Sequence, residues 1–211
     1  MSLFAILQLG VAASVLFCIV ALTLMVVRTF TFGQKPTYAY PRGSKFSGIL
    51  YAFTQGMLPW EKETAARHIW TYIGGILYHL SIFIAMFFLA TLLLRISLTA
   101  ALLQTLRILL FIGLVSGLAL LIKRTFKPHM RALSYGDDYL ANILVDLLLL
   151  SALTTTFNES AYFIFFIIAI IIFIYIPFGK IRHCVFFFYS RILFGDFFGR
   201  RGVLPHPTQE I

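Results

Sequence analysis

Four titratable side chains sit in or beside long apolar runs of this 211-residue chain: His68, His79, Asp146 and His183. A polar group inside a membrane span is costly and rarely idle, so each is a candidate for chemistry. His68 opens one run and His79 lies inside it. Asp146 lies about two helical turns beyond Asp137-Asp138, and His183 follows Pro177-Phe178-Gly179-Lys180. Imidazoles on two facing helices are how a bundle holds the iron of a b-type haem. The plainer reading of a lone membrane histidine is a hydrogen bond to a neighbouring helix. Asp146 also has two readings. It bonds a hydroxyl or amide on the next helix, or it is a carboxylate that accepts a proton from a quinol or orients an imidazole.

Those residues have to be positioned by helices in lipid. The chain is 60% hydrophobic and 12% charged, far from the composition of a soluble domain or of a disordered segment. Apolar runs at 3–27, 69–94, 101–122, 139–157 and 161–178 each approach the ~20 residues that a bilayer core needs. Some are rich in β-branched residues, but their length favours helix over strand. The expectation is an all-α, integral-membrane five-helix bundle forming one domain over 1–211. A long loop at 29–66 joins helices one and two, and a tail follows at 184–211.

Charge sets the orientation. Of the 17 lysines and arginines, all but Arg95 and Arg107 fall on one side of this five-span plan, which by the positive-inside rule is the cytoplasm. The N-terminus is then outside and the C-terminus inside. The net charge of +9 is explained by these loops facing anionic lipid, and no nucleic-acid partner is expected. Cys18 and Cys184 form no CxxC or CxxCH pattern, which leaves a disulfide scaffold, a zinc ribbon and a covalently attached haem unsupported.

The loop's first part is punctuated by Gly33, Pro36, Pro41, Gly43 and Ser44. The stretch 46–60 reads equally as an interfacial segment or as an irregular loop with aromatic anchors. Arg107 reads as a snorkelling residue, Tyr135-Gly136-Asp137-Asp138 as a turn and N-cap, and His129 and His206 as solvated. At 1.5 Å per residue, His79, His183 and His68 lie about 23, 34 and 39 Å from the surface opposite the basic loops. Depth therefore leaves open whether His68 or His79 partners His183.

Three segments carry a resemblance. Ile176-Pro177-Phe178-Gly179-Lys180-Ile181-Arg182-His183 resembles the end of the last helix in the gamma-subunit family of respiratory nitrate reductase, where a Pro-Phe-small-basic run precedes a haem-ligating histidine. Gly74-Gly75-Ile76-Leu77-Tyr78-His79 resembles that family's second helix, and Met130 through Leu140 resembles the start of its fourth. The five-helix, N-out plan is similar too, although the loop at 29–66 looks particular to this chain. The family holds two haems on four histidines. At the positions matching the outer pair this chain has Leu89 and Phe165. The resemblance thus implies one haem b near the inner face, on His79 and His183, with His68 as the alternative ligand.

The fourth-helix motif and short tail look closer to membrane cytochrome subunits of the Dsr, Tmc and Hmc redox complexes and of heterodisulfide reductase. What this implies is an electron-transfer subunit in a bacterial or archaeal cytoplasmic membrane, not a complete enzyme. It would pass electrons between (mena)quinone and a cytoplasmic iron–sulfur partner, heterodisulfide-reductase-like or ferredoxin-like. Phe194, Phe197 and Phe198 are candidate anchors of the tail to membrane or partner. The competing class is a haem-free anchor or scaffold subunit, or a small carrier.

Overall fold

The computed structural model describes residues 2–32 and 39–205, so His206 and loop residues 33–38, with Gly33 and Pro36, lie outside the described residues. Every regular element among the described residues is helical. The helices are α1 (Leu3–Phe30), α2 (Lys45–Phe53), α3 (Glu63–Arg67), α4 (Ile69–Leu93), α5 (Ala100–Phe126), α6 (Pro128–Ala132), α7 (Gly136–Phe157), α8 (Tyr162–Tyr175) and α9 (His183–Arg200). Helices α1, α4, α5 and α7 are each long and apolar enough to cross a membrane. The count becomes five if α8 and the segment after its break form one span.

The expected fifth span, 161–178, departs most from the sequence reading. Its helix α8 has 14 residues and ends at Tyr175. Pro177 has no N–H to continue the ladder. The Tyr175 ring closes over Gly179, where a Cβ would collide with it. The chain then resumes through a 3₁₀ turn, Lys180–Arg182, into α9. The tail expected from 184 onward is therefore helical as far as Arg200. Of the two readings of 46–60, the irregular loop gives way to helix at Lys45–Phe53, and 3₁₀ turns follow at Gln55–Met57 and Pro59–Glu61.

The chain divides into two compact units. One comprises 1–21 and 70–181, and the other 22–69 and 182–211. In the first, α5 packs against α7 and α7 against α8. Phe165, Phe166, Leu110, Leu148 and Leu149 are its largest fully buried side chains. Lipid tails are as apolar as leucine, so helix association here relies on close fit and interhelical hydrogen bonds. Gly113 and Gly117 supply the fit on α5. A Cβ at Gly113 would overlap Ser81, and one at Gly117 would overlap Tyr78 and Asp146. Ser81 uses the space at Gly113 to donate to the Leu109 carbonyl at 2.7 Å.

The second unit repeats the device. Helices α2 and α9 meet backbone to backbone through Gly48, Gly195 and Gly199. A Cβ on Gly199 would stand 2.5 Å from the Ser44 carbonyl oxygen and 2.9 Å from the Gly48 Cα. The Arg42 and Gly43 N–H groups donate to the Arg200 carbonyl at 2.8 and 3.2 Å, satisfying an acceptor that the end of α9 would leave open. Lys45 pairs with Asp196 at 3.2 Å. Tyr51 is buried and donates to Glu61 at 2.8 Å. Burial, then the Glu61 carboxylate, pushes the Tyr51 hydroxyl above its ordinary pKa and keeps it a donor.

Gly199→Val should destabilise the fold by about 1–3 kcal/mol, the usual penalty for overpacking. It should also open α2 to protease. Gly136→Ala, where a Cβ meets nothing within 4 Å, should not. Thermal unfolding and limited proteolysis in detergent compare the two.

Candidate functional site

Helix α4 presents two adjacent polar residues in different directions, because successive residues on a helix point about 100° apart. Tyr78 is buried and faces α7, whereas His79 is exposed. The His79 Nδ1–H donates to the Gly75 carbonyl one turn back, at 2.7 Å. In a neutral ring that bond selects the tautomer whose lone pair is on Nε2, the form that ligates a metal. Around it, Ile76, Leu80 and Phe83 are exposed on the same stripe of α4. Gly74 and Gly75 leave open space where side chains would stand, since a Cβ at either meets nothing within 4 Å. The combination fits a flat apolar group laid against α4 with His79 as a ligand.

The other two histidines belong to the second unit. His68 follows α3 as its C-terminal cap residue, immediately before α4, and His183 is the first residue of α9. Both are exposed, as is His129 of α6. Cys18 is buried and Cys184 exposed, and neither forms a disulfide. Among the described residues, no group of three or more His, Cys, Asp or Glu side chains is arranged to hold a metal ion.

Asp146 is 6% exposed and accepts a hydrogen bond on each carboxylate oxygen. Tyr78 Oη donates to Oδ1 at 2.8 Å, and Asn142 Nδ2 donates to Oδ2 at 2.9 Å. Asn142, one turn before Asp146 on α7, also lies 3.2 Å from Tyr78 Oη and 3.4 Å from the Gly117 carbonyl. The network ties α4, α5 and α7 together at the level of His79. The sequence pointed to Asp146 and to a hydroxyl or amide partner on a neighbouring helix, which the Tyr78 hydroxyl supplies, but it did not single out Tyr78, Asn142 or Gly117. Two signals were present: the polar pair Asn142 and Asp146 at i, i+4, and the glycine pair Gly113 and Gly117 at the same spacing.

Asp138 heads a second cluster. Its carboxylate reaches back to the Tyr135 N–H at 3.0 Å, receives Arg124 Nη1 at 3.3 Å and pairs with Lys180. Tyr175 Oη bonds to Asp137. Tyr135 is thus the N-cap residue, and the two aspartates belong to the first turn, where carboxylates complement the helix dipole. Arg107 does more than snorkel. Nη2 donates to the Thr156 carbonyl at 2.5 Å, Nε to the Thr156 hydroxyl at 3.3 Å, and the guanidinium lies 4.4 Å from the Phe157 ring centroid. It holds a terminal carbonyl of α7.

Leu89 and Phe165, where the resembled family has its outer ligands, are core residues here. Phe165 is 0% exposed and stacks on Phe88 at 5.9 Å and 19°. That packing leaves the position filled by hydrocarbon.

No protein-family model, curated protein or solved structure matches the chain. The resemblance drawn above therefore rests on its motif residues alone.

Tyr78→Phe should cost about 1–3 kcal/mol, because it leaves a buried carboxylate oxygen without its donor. Gly117→Val should cost more, since it displaces Tyr78 and Asp146 together. The ranking is read from thermal unfolding in detergent. Equal midpoints for Tyr78→Phe and the unaltered protein would show that the carboxylate finds another donor.

Proposed function

We propose that this multi-pass membrane protein is a haem b subunit of a respiratory redox complex. It moves electrons between membrane (mena)quinone and a cytoplasmic iron–sulfur subunit. The observation that carries the reading is His79. Its ring is fixed through Nδ1 to a backbone carbonyl, beside two glycines whose Cβ positions meet no neighbouring atoms. His183 is the second ligand by the resemblance of its motif, and His68 is the alternative. A bis-imidazole haem, when bound, supplies a one-electron couple whose potential is set by axial ligands and burial. The Gly75 carbonyl then orients the His79 imidazole and raises its basicity.

Asp146 is the proposed proton acceptor. Its two acceptor bonds suit the ionised form, which can take up a proton when a quinol is oxidised to quinone with loss of two electrons and two protons. The basic loops on the cytoplasmic face and the exposed Phe46, Trp60, Phe194 and Phe197 form the proposed docking surface for the iron–sulfur partner. The membrane is the cytoplasmic membrane of a bacterium or archaeon, with the N-terminus outside. A haem-free anchor subunit is the second reading. The exposure of both His79 and His183 favours it, since an anchor would set these residues against a partner chain.

The purified protein should show a low-spin, six-coordinate haem spectrum with about one haem per chain. His79→Ala should abolish the spectrum while the chain still inserts. A haem-free preparation from haem-replete cells would select the anchor reading. Loss of the spectrum in His68→Ala but not in His79→Ala would move the ligand. Asp146→Asn should slow quinol-driven haem reduction at unchanged haem content, and unaltered kinetics across pH would leave Asp146 structural.

A further inference from the structure

A cavity of about 800 Å³ opens at the end of the first unit where α4 and α7 finish and α5 and α8 begin. It lies at the opposite end of those helices from Arg124, Asp138 and Lys180. Its walls are apolar and include Phe4, Phe88, Leu92, Leu98, Leu103 and Tyr162. Its polar lining comprises two arginines, one glutamate and several serine and threonine hydroxyls. Arg95 is exposed, and its guanidinium lies 5.1 Å from the Phe4 ring centroid. Glu159 is exposed at the head of the turn leading into α8. Thr91 and Thr155 are 4% exposed, and each has given its hydroxyl proton to a carbonyl of its own helix, Phe88 at 2.7 Å and Ser151 at 2.7 Å. These two oxygens can therefore only accept. Arg107 also lines the cavity, with three of its five N–H groups bonded to Thr156 and Gln104.

We infer that this cavity binds the headgroup of a zwitterionic phospholipid with a primary ammonium, a phosphoethanolamine lipid. The phosphate needs a cationic donor and meets Arg95. The ammonium carries three protons and no acceptor, and it meets Glu159 and the hydroxyl oxygens. The acyl chains lie along the apolar wall, where Ile96 and Phe157 are also exposed. The position suits a lipid because the cavity stands at the ends of helices long enough to span a bilayer, where headgroups lie. A neutral glycerol headgroup brings no cation to Glu159, and a choline headgroup brings no N–H donor for the two hydroxyls. A quinone ring is disfavoured because it carries no charge to pair with Arg95 and Glu159. The inference does not depend on the haem.

The test is native mass spectrometry of the full chain in mild detergent, after delipidation and titration with phosphatidylethanolamine, phosphatidylcholine and phosphatidylglycerol of equal chain length. Soluble glycerophosphoethanolamine is the competitor without acyl chains. Phosphatidylethanolamine should bind in preference to both other lipids, and the soluble headgroup should not displace it. Arg95→Asn should weaken binding about tenfold or more. Arg95 has φ 55°, a left-handed conformation that Asn tolerates, so the backbone is preserved. Glu159→Gln should retain lipid but lose the preference over phosphatidylcholine. The inference is overturned if phosphatidylcholine or phosphatidylglycerol binds as well as phosphatidylethanolamine to the unaltered protein. It is also overturned if no lipid is retained, if the soluble headgroup competes fully, or if neither variant changes the selectivity.

Discussion

Everything in the first unit depends on how closely α5 approaches its neighbours at Gly113 and Gly117. Between helices in lipid there is no gain from hiding apolar surface, so contact has to come from shape and from polar bonds strengthened by a dry surrounding. Removing two side chains from α5 supplies both. The backbone comes within reach of Ser81, and a pocket forms that only a carboxylate and a tyrosine ring fill. The second unit uses the same principle. Gly48, Gly195 and Gly199 let α2 lie on α9 at main-chain distance, and the α9 terminus is sealed by the N–H groups of Arg42 and Gly43.

The polar groups of the first unit then fall into levels along its helices. At one end, Asp138 gathers Arg124 and Lys180. At middle depth, Asp146 is held by Tyr78 and Asn142. At the other end, Arg107 closes the terminus of α7. Each level joins elements that are distant in sequence, so together they fix helix register as well as helix proximity. A buried polar contact specifies one arrangement where leucines alone would tolerate several.

How much of this was legible in the sequence follows the physics of each feature. The four long helices were readable because a bilayer imposes a length, and their ends were off by only a few residues. Asp146 was readable as a carboxylate in an apolar run. Its partners were not, because Tyr78 and Asn142 become neighbours only after α4, α5 and α7 pack. The break after Tyr175 was present as Pro177, but hydropathy averages over such a residue and ran the span on to 178. Helix α9 was missed because its apolar residues surround its glycines, and the repeat Gly195-Asp-Phe-Phe-Gly199 signals a packing face only once α2 is seen against it. Arg107 was taken as an exposed cation because sequence cannot show a helix terminus waiting to be capped.

The stacked pair Phe88 and Phe165, with Leu89 and Leu149 beside them, fills the α4, α7 and α8 core on the side of Asp146 nearer the cavity. Such a layer of closely packed hydrocarbon is an electrical insulator. The bundle therefore carries its charge at two ends, Asp138 with Arg124 and Lys180 at one and Arg95 and Arg107 at the other, with packed hydrocarbon and the buried Asp146 between them.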